Sequence, residues 1–132
     1  MDVALNELVG AWRGKHATLD IDLAPPEGRD AQLTHHYEGI LDGPYLGDGP
    51  GIGLVFGART IQGDIAVEGP YIDFEPAQPD GSPAILFTET YAEIHVTELP
   101  LVAHVEAGTA RWESRLADGR AVRCRLSTAG TD

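Results

Sequence analysis

Apolar and polar positions along this chain begin with a helical period and soon change to strict alternation. Leu5 and Leu8–Val9 form one side of a short helix that Asp2 can cap and that ends near Val9. From Lys15 to Leu23, residues Ala17, Leu19, Ile21 and Leu23 fall on one strand face, with His16, Thr18, Asp20 and Asp22 on the other. Pro25-Pro26-Glu27-Gly28 ends that strand. Gln32–Leu41 repeats the pattern, with Leu33, Tyr37 and Leu41 against Gln32, Thr34, His36 and Glu38. The Gly- and Pro-rich stretch Asp42–Gly53 reads as a long loop of the kind that serves as a lid or binding loop.

Further strands are expected at Leu54–Ile61 and Asp64–Glu68 around a Gln62-Gly63 turn, and at Tyr71–Glu75 after the Gly69-Pro70 break. Pro79-Asp80-Gly81 is a turn, Ala84–Thr97 one long strand, and Leu99-Pro100 its end. Leu101–Glu106 and Thr109–Ala117 join at Ala107-Gly108, and Arg120–Ser127 comes last. About eight or nine strands joined by tight turns, without a crossover helix, predict antiparallel pairing throughout. The fold class is therefore all-β: an antiparallel up-and-down β-barrel of about eight strands, one domain over residues 1–132, with a short N-terminal helix.

The last hairpin can be read in register. A two-residue Asp118-Gly119 loop would turn Trp112 and Leu116 to the same face as Arg123 and Arg125. A three-residue loop, Ala117-Asp118-Gly119 with Gly119 left-handed, instead pairs Trp112 with Cys124, Ser114 with Val122 and Glu113 with Arg123. It places every apolar residue inward and an opposite-charge pair outside, so it is the register expected.

Composition narrows the partners. Asp+Glu number 21 against Lys+Arg 9, a net charge of −12 that repels phosphate backbones and anionic membrane surfaces, so neither nucleic acid nor membrane is an expected partner. The single cysteine, Cys124, has no internal disulfide partner and reads as a small buried thiol. The start MDVALNELVG lacks the basic and apolar regions of a signal peptide, and no run approaches a span of about 20 apolar residues. A cytoplasmic protein is expected, with a homodimer left open.

Gly10-Ala11-Trp12-Arg13-Gly14 carries a family likeness. The Gly-x-Trp resembles the first strand of the calycin group (lipocalins, fatty-acid-binding proteins and relatives), and Gly-x-Trp-x-Gly resembles the nitrobindin branch. The resemblance implies a barrel around a small ligand, with Trp12 at the closed end beneath an arginine such as Arg123 or Arg125. The chain departs from fatty-acid-binding proteins in having no helix-turn-helix after the first strand, and from nitrobindins in lacking a carboxyl-terminal histidine to hold haem. No cofactor is expected; haem on His35 or His95 is the lesser alternative.

Three pairs, His36/Glu38, Glu93/His95 and His104/Glu106, share the two-residue spacing that puts both side chains on one strand face. His36/Glu38 and His104/Glu106 fall opposite apolar residues and are expected to be solvated, so no metal site is expected. His35 shares the inner face with Leu33 and Tyr37. In Ala84–Thr97 the odd face, with Phe87, Glu89, Tyr91, Glu93 and His95, carries the aromatics and is expected inward, placing Glu89 between Phe87 and Tyr91 in an apolar cavity. The candidate inner constellation is His35, Tyr37, Glu89, Tyr91, Trp112 and Cys124.

Three functions follow. The first is a binder of a small apolar or aromatic molecule held by Tyr37, Phe56, Phe74, Phe87, Tyr91 and Trp112. The second is a cofactor-independent isomerase, cyclase or lyase, as in secondary metabolism, with His35 and Glu89 as acid and base and Tyr91 orienting the substrate. The third is an interaction module with a filled barrel.

Overall fold

The structure, a computed structural model, describes residues 1–23, 33–45, 51–57, 60–62, 65–67, 70–77, 85–87, 91–116 and 119–128. Strand β1 (Asp2–Ala4) runs directly into helix α1 (Leu5–Trp12). There follow β2 (His16–Leu23), β3 (Leu33–Tyr45), β4 (Ile52–Phe56), β5 (Thr60–Gln62), β6 (Ile65–Val67) and β7 (Tyr71–Pro76). The remainder is β8 (Ile85–Phe87), β9 (Tyr91–Val96), β10 (Val102–Glu106), β11 (Thr109–Arg115) and β12 (Ala121–Thr128). The protein is thus all-β with one short helix. Ten strands make one sheet in the order β1-β10-β11-β12-β2-β3-β4-β7-β9-β8, and β5 and β6 pair separately. No described helix is long and apolar enough to cross a membrane.

Burial follows the alternation. In β2, Ala17, Leu19, Ile21 and Leu23 are buried, and the β11–β12 hairpin turns Ala110, Trp112, Ser114, Val122, Cys124 and Leu126 to the same side. That hairpin has the expected register, with Trp112 opposite Cys124, Ser114 opposite Val122 and Glu113 opposite Arg123. Arg123 Nε donates to Glu113 Oε2 at 3.0 Å, and Gly119 has a φ of 92°, the left-handed conformation a three-residue loop needs.

The start of the chain differs from expectation. Asp2 does not cap the helix: it lies in β1 and accepts a hydrogen bond from His104 Nδ1 at 3.0 Å. Helix α1 begins after Ala4, has no side-chain cap, and buries Leu5, Leu8 and Val9 against the sheet. Trp12 is its last residue. Arg13 Nε then donates to the Gly43 carbonyl at 2.7 Å, and Gly14, at φ 89°, turns the chain into β2. The expected loop over 42–53 is also shorter, because β3 continues to Tyr45 and β4 starts at Ile52.

The largest departure is at the other end of the sheet. Residues 84–97 do not form one strand. β8 and β9 are an antiparallel hairpin, with Ile85, Leu86 and Phe87 opposite Ile94, Glu93 and Ala92. β9 then lies between β8 and β7 and pairs with β7 in parallel, Tyr71 beside Tyr91 and Glu75 beside His95. A helix is unnecessary for this parallel pair because β8 supplies the return stroke. The insertion also breaks the up-and-down order. Among the described residues the sheet does not close into a barrel of eight strands: β1 and β8 are its edges, and the end of β9 touches the segment just past β11 at an isolated Val96–Leu116 bridge, beside the bond from Thr97 N to Arg115 O at 2.9 Å.

Candidate functional site

The two faces of this sheet carry different chemistry. On the inner face, Trp112, Cys124, Ile21 and His35 form one continuous row across β11, β12, β2 and β3. The other half of the curled sheet covers this row. Phe74 meets Trp112 edge to face with centroids 6.0 Å apart, and Phe87 stacks on His35 at 3.5 Å with an interplanar angle of 17°. Tyr37 is buried one residue pair along from His35, opposite Leu19. Phe56 and Phe74 are 1% and 0% exposed, so they back this face as packed core, while His35 and Phe87 are half-buried.

Among the described residues, two polar groups on the inner face are unsatisfied. Trp112 Nε1 and Ser114 Oγ are buried without a hydrogen-bond partner, and alternation puts both on the same side of β11. Cys124, opposite Trp112, is fully enclosed, and burial pushes its thiol up, away from a reactive thiolate.

Burial pushes the His35 imidazole below its ordinary value of 6.5. The unfolded chain therefore takes up a proton there at a higher pH than the folded chain does. In that window the unfolded state binds more protons, and stability falls as the pH is lowered. His35→Phe, which keeps a ring against Phe87, is expected to lose less stability than the native protein between about pH 7 and about pH 5, measured as melting temperature. Equal losses would show that His35 is not desolvated.

Of the expected catalytic set, Tyr91 does not lie on this face with His35. Ala92, Ile94 and Val96 are the inward residues of β9, so Tyr91, Glu93 and His95 point to the outer face, away from His35 and Phe87. The parity changes within the β8–β9 hairpin, where Phe87 lies opposite Ala92. Glu89 lies outside the described residues. The arginine expected over Trp12 is not there either. Arg123 pairs with Glu113, and Arg125 Nη2 donates to Asp20 at 2.9 Å, both on the outer face.

That outer face is ordered by charge. Asp2, His104, Arg111, Arg125, Asp20 and His36 are successive cross-strand neighbours over β1, β10, β11, β12, β2 and β3. His36 Nδ1 lies 2.6 Å from Asp20 Oδ1. Burial pulls the Asp20 carboxyl upward, but hydrogen bonds from His36 and Arg125 outweigh it and hold Asp20 low. His36, Glu38, His104 and Glu106 are exposed, as their pattern predicts.

The parallel strands β7 and β9 build a second polar cluster on the same outer side of the sheet. Three rungs bring Tyr71 beside Tyr91, Asp73 beside Glu93 and Glu75 beside His95. The two tyrosine rings stack at 5.9 Å. Tyr71 lies over Gly53, where a Cβ would overlap its hydroxyl. Tyr91 Oη donates to Glu93 Oε2 at 3.0 Å, and His95 Nε2 lies 2.8 Å from Glu93 Oε1. His95 is 8% exposed, and its Nδ1 donates to the Pro76 carbonyl at 3.2 Å.

Burial, a hydrogen bond with Glu75 and the charges of Glu75 and Glu93 push Asp73 up to about 7. Burial also raises Glu93, but hydrogen bonds from His95 and Tyr91 prevail and hold it low. Burial and the neighbouring carboxylates push the Tyr91 hydroxyl up. Sequence reasoning noticed Glu93 and His95 but missed Asp73 and Glu75. The available signal was a matched pattern: Tyr71-x-Asp73-x-Glu75 and Tyr91-x-Glu93-x-His95 share one spacing, as two parallel strands in register require.

No family model matches this chain, and neither curated proteins nor solved structures give a match, so what the two faces can do is decided by their own chemistry.

Proposed function

We propose that this protein binds a small, largely apolar or aromatic molecule against the inner face of the curled sheet, in the manner of a calycin-like barrel of the cytoplasm. The ligand lies along the row from Trp112 to His35, among Tyr37, Phe87 and the packed rings of Phe56 and Phe74. It carries at least one hydrogen-bond acceptor.

The observation behind this reading is the pair of orphaned groups, Trp112 Nε1–H and Ser114 Oγ. A buried polar group left unpaired costs about 1–3 kcal/mol, and a ligand carbonyl or carboxylate placed between these two would remove that cost. Phe74, edge to face with Trp112, and the stacked His35–Phe87 pair at the far end of the row supply apolar surface.

Ser114→Ala tests the proposal because ligand and fold pull it in opposite directions. Without ligand the substitution removes an unsatisfied hydroxyl and is expected to leave stability unchanged or raise it by up to about 1 kcal/mol. With ligand it removes a partner. Native mass spectrometry of freshly purified protein is expected to show a co-purifying small molecule that Ser114→Ala and Trp112→Phe each retain less well. A native protein that carries and captures no apolar or aromatic compound would overturn the reading, as would equal retention by both variants.

A further inference from the structure

We propose that Glu75, Glu93 and His95 form a binding site for a divalent first-row transition-metal ion. The site stands on the outer face of β7 and β9 and is independent of the ligand reading for the inner face.

The donor atoms are already gathered: one ligand atom from each of the three residues lies within 4.8 Å of the other two. The parallel register achieves this, since Glu75 is the direct neighbour of His95 and Glu93 precedes His95 by two residues on the same face. A set of two carboxylates and one imidazole suits manganese, iron, cobalt or zinc. Calcium and magnesium favour sites made of oxygen alone.

His95 provides the separate observation. Its partner outside the cluster is the Pro76 carbonyl, which only accepts, so Nδ1 carries the proton of that bond. In the neutral ring Nε2 is then a bare lone pair, directed at Glu93 Oε1 across 2.8 Å. Two acceptors at that distance need a cation between them, either a proton or a metal ion. A metal-ligating histidine is typically oriented in this way, its far N–H held by a backbone carbonyl and its other nitrogen free to coordinate. Tyr91 fixes the second oxygen of Glu93 in the same supporting manner.

Charge balance points the same way. Three carboxylates, Asp73, Glu75 and Glu93, crowd a half-buried patch beside His95. A divalent ion would supply the missing positive charge. Three protein donors leave positions for water, for Asp73 or for an added ligand.

The test uses the full chain without a histidine tag, stripped with chelator and titrated with Co²⁺. The expected result is one tight site per chain, with visible d–d absorption and a raised melting temperature, and displacement of the Co²⁺ by Zn²⁺. Glu93→Gln and His95→Gln are each expected to weaken binding at least tenfold and to abolish the thermal shift. His36→Ala, on the exposed charge row, should leave both unchanged. Glu75→Gln, a near-isosteric change at a half-buried position, serves the same purpose should His95→Gln fail to fold by circular dichroism. A native protein without the absorption band, or Glu75 and Glu93 variants that bind like it, would overturn the proposal and leave a proton as the shared cation.

Discussion

Replacing Gly39 with alanine is expected to lower stability by about 3 kcal/mol, or about 10 °C in melting temperature for a domain of this size. A Cβ at Gly39 would sit 2.8 Å from the carbonyl carbon of Phe56 and 2.9 Å from its oxygen. Those are backbone atoms of the neighbouring strand, locked by the pairing of Leu41 with Phe56 and by the bond from Gly57 N to Ile40 O at 2.7 Å. No rotamer change can make room, so β3 and β4 must separate. Gly119 gives the comparison. It is left-handed but faces open space, so Gly119→Ala adds only conformational strain, about 1–2 kcal/mol. Equal losses for the two variants would mean that the close approach at Gly39 is not present in solution.

Phe74→Ala is expected to cost more, about 3–5 kcal/mol, a large share of the total stability of a single domain. Phe74 is 0% exposed, flanked by Ile52 and Ile94 on the adjacent strands and met edge-on by Trp112 from the far half of the sheet. Truncation removes the ring's burial and leaves a cavity where the two halves meet. Phe87→Ala, at a half-buried position near the sheet edge, should cost less. Urea denaturation of both variants measures the difference. A loss below about 1 kcal/mol for Phe74→Ala would show that the halves do not pack on each other as described.

The contrast between β11–β12 and β8–β9 shows how far the sequence was legible. In β11–β12, Gly119 marks the turn, and the alternation of Trp112, Ser114, Leu116, Val122, Cys124 and Leu126 rejects any register that turns a side chain the wrong way. Local information was enough there. Between Phe87 and Tyr91 the sequence has neither glycine nor proline, so the alternation reads through without a break although β8 and β9 pair antiparallel. The antiparallel pairing inverts the parity of β9 relative to β8. Tyr91, Glu93 and His95 were therefore expected on the wrong face.

The candidate sites divide in the same way. The inner row of His35, Cys124 and Trp112 was readable because each residue sits in a strand whose own pattern fixes its face. The orphaned Ser114 was predicted inward by register, but its lack of a partner is a property of packing that no pattern displays. Asp73 and Glu75 join Glu93 and His95 only because β9 enters between β8 and β7, a non-local pairing that sequence spacing does not specify.

That insertion also sets an order of assembly. The β8–β9 pairing is local in sequence and the β7–β9 pairing is less so, and β7 offers an open edge until β9 arrives. During that interval β7, paired with β4 on its other side, presents Ile72 and Phe74 beside an open edge, a template on which a second molecule could add. Asp73 and Glu75 stand between and beside those residues. Like charges on two such strands repel, so the same carboxylates that crowd the finished sheet act as gatekeepers while it is being made.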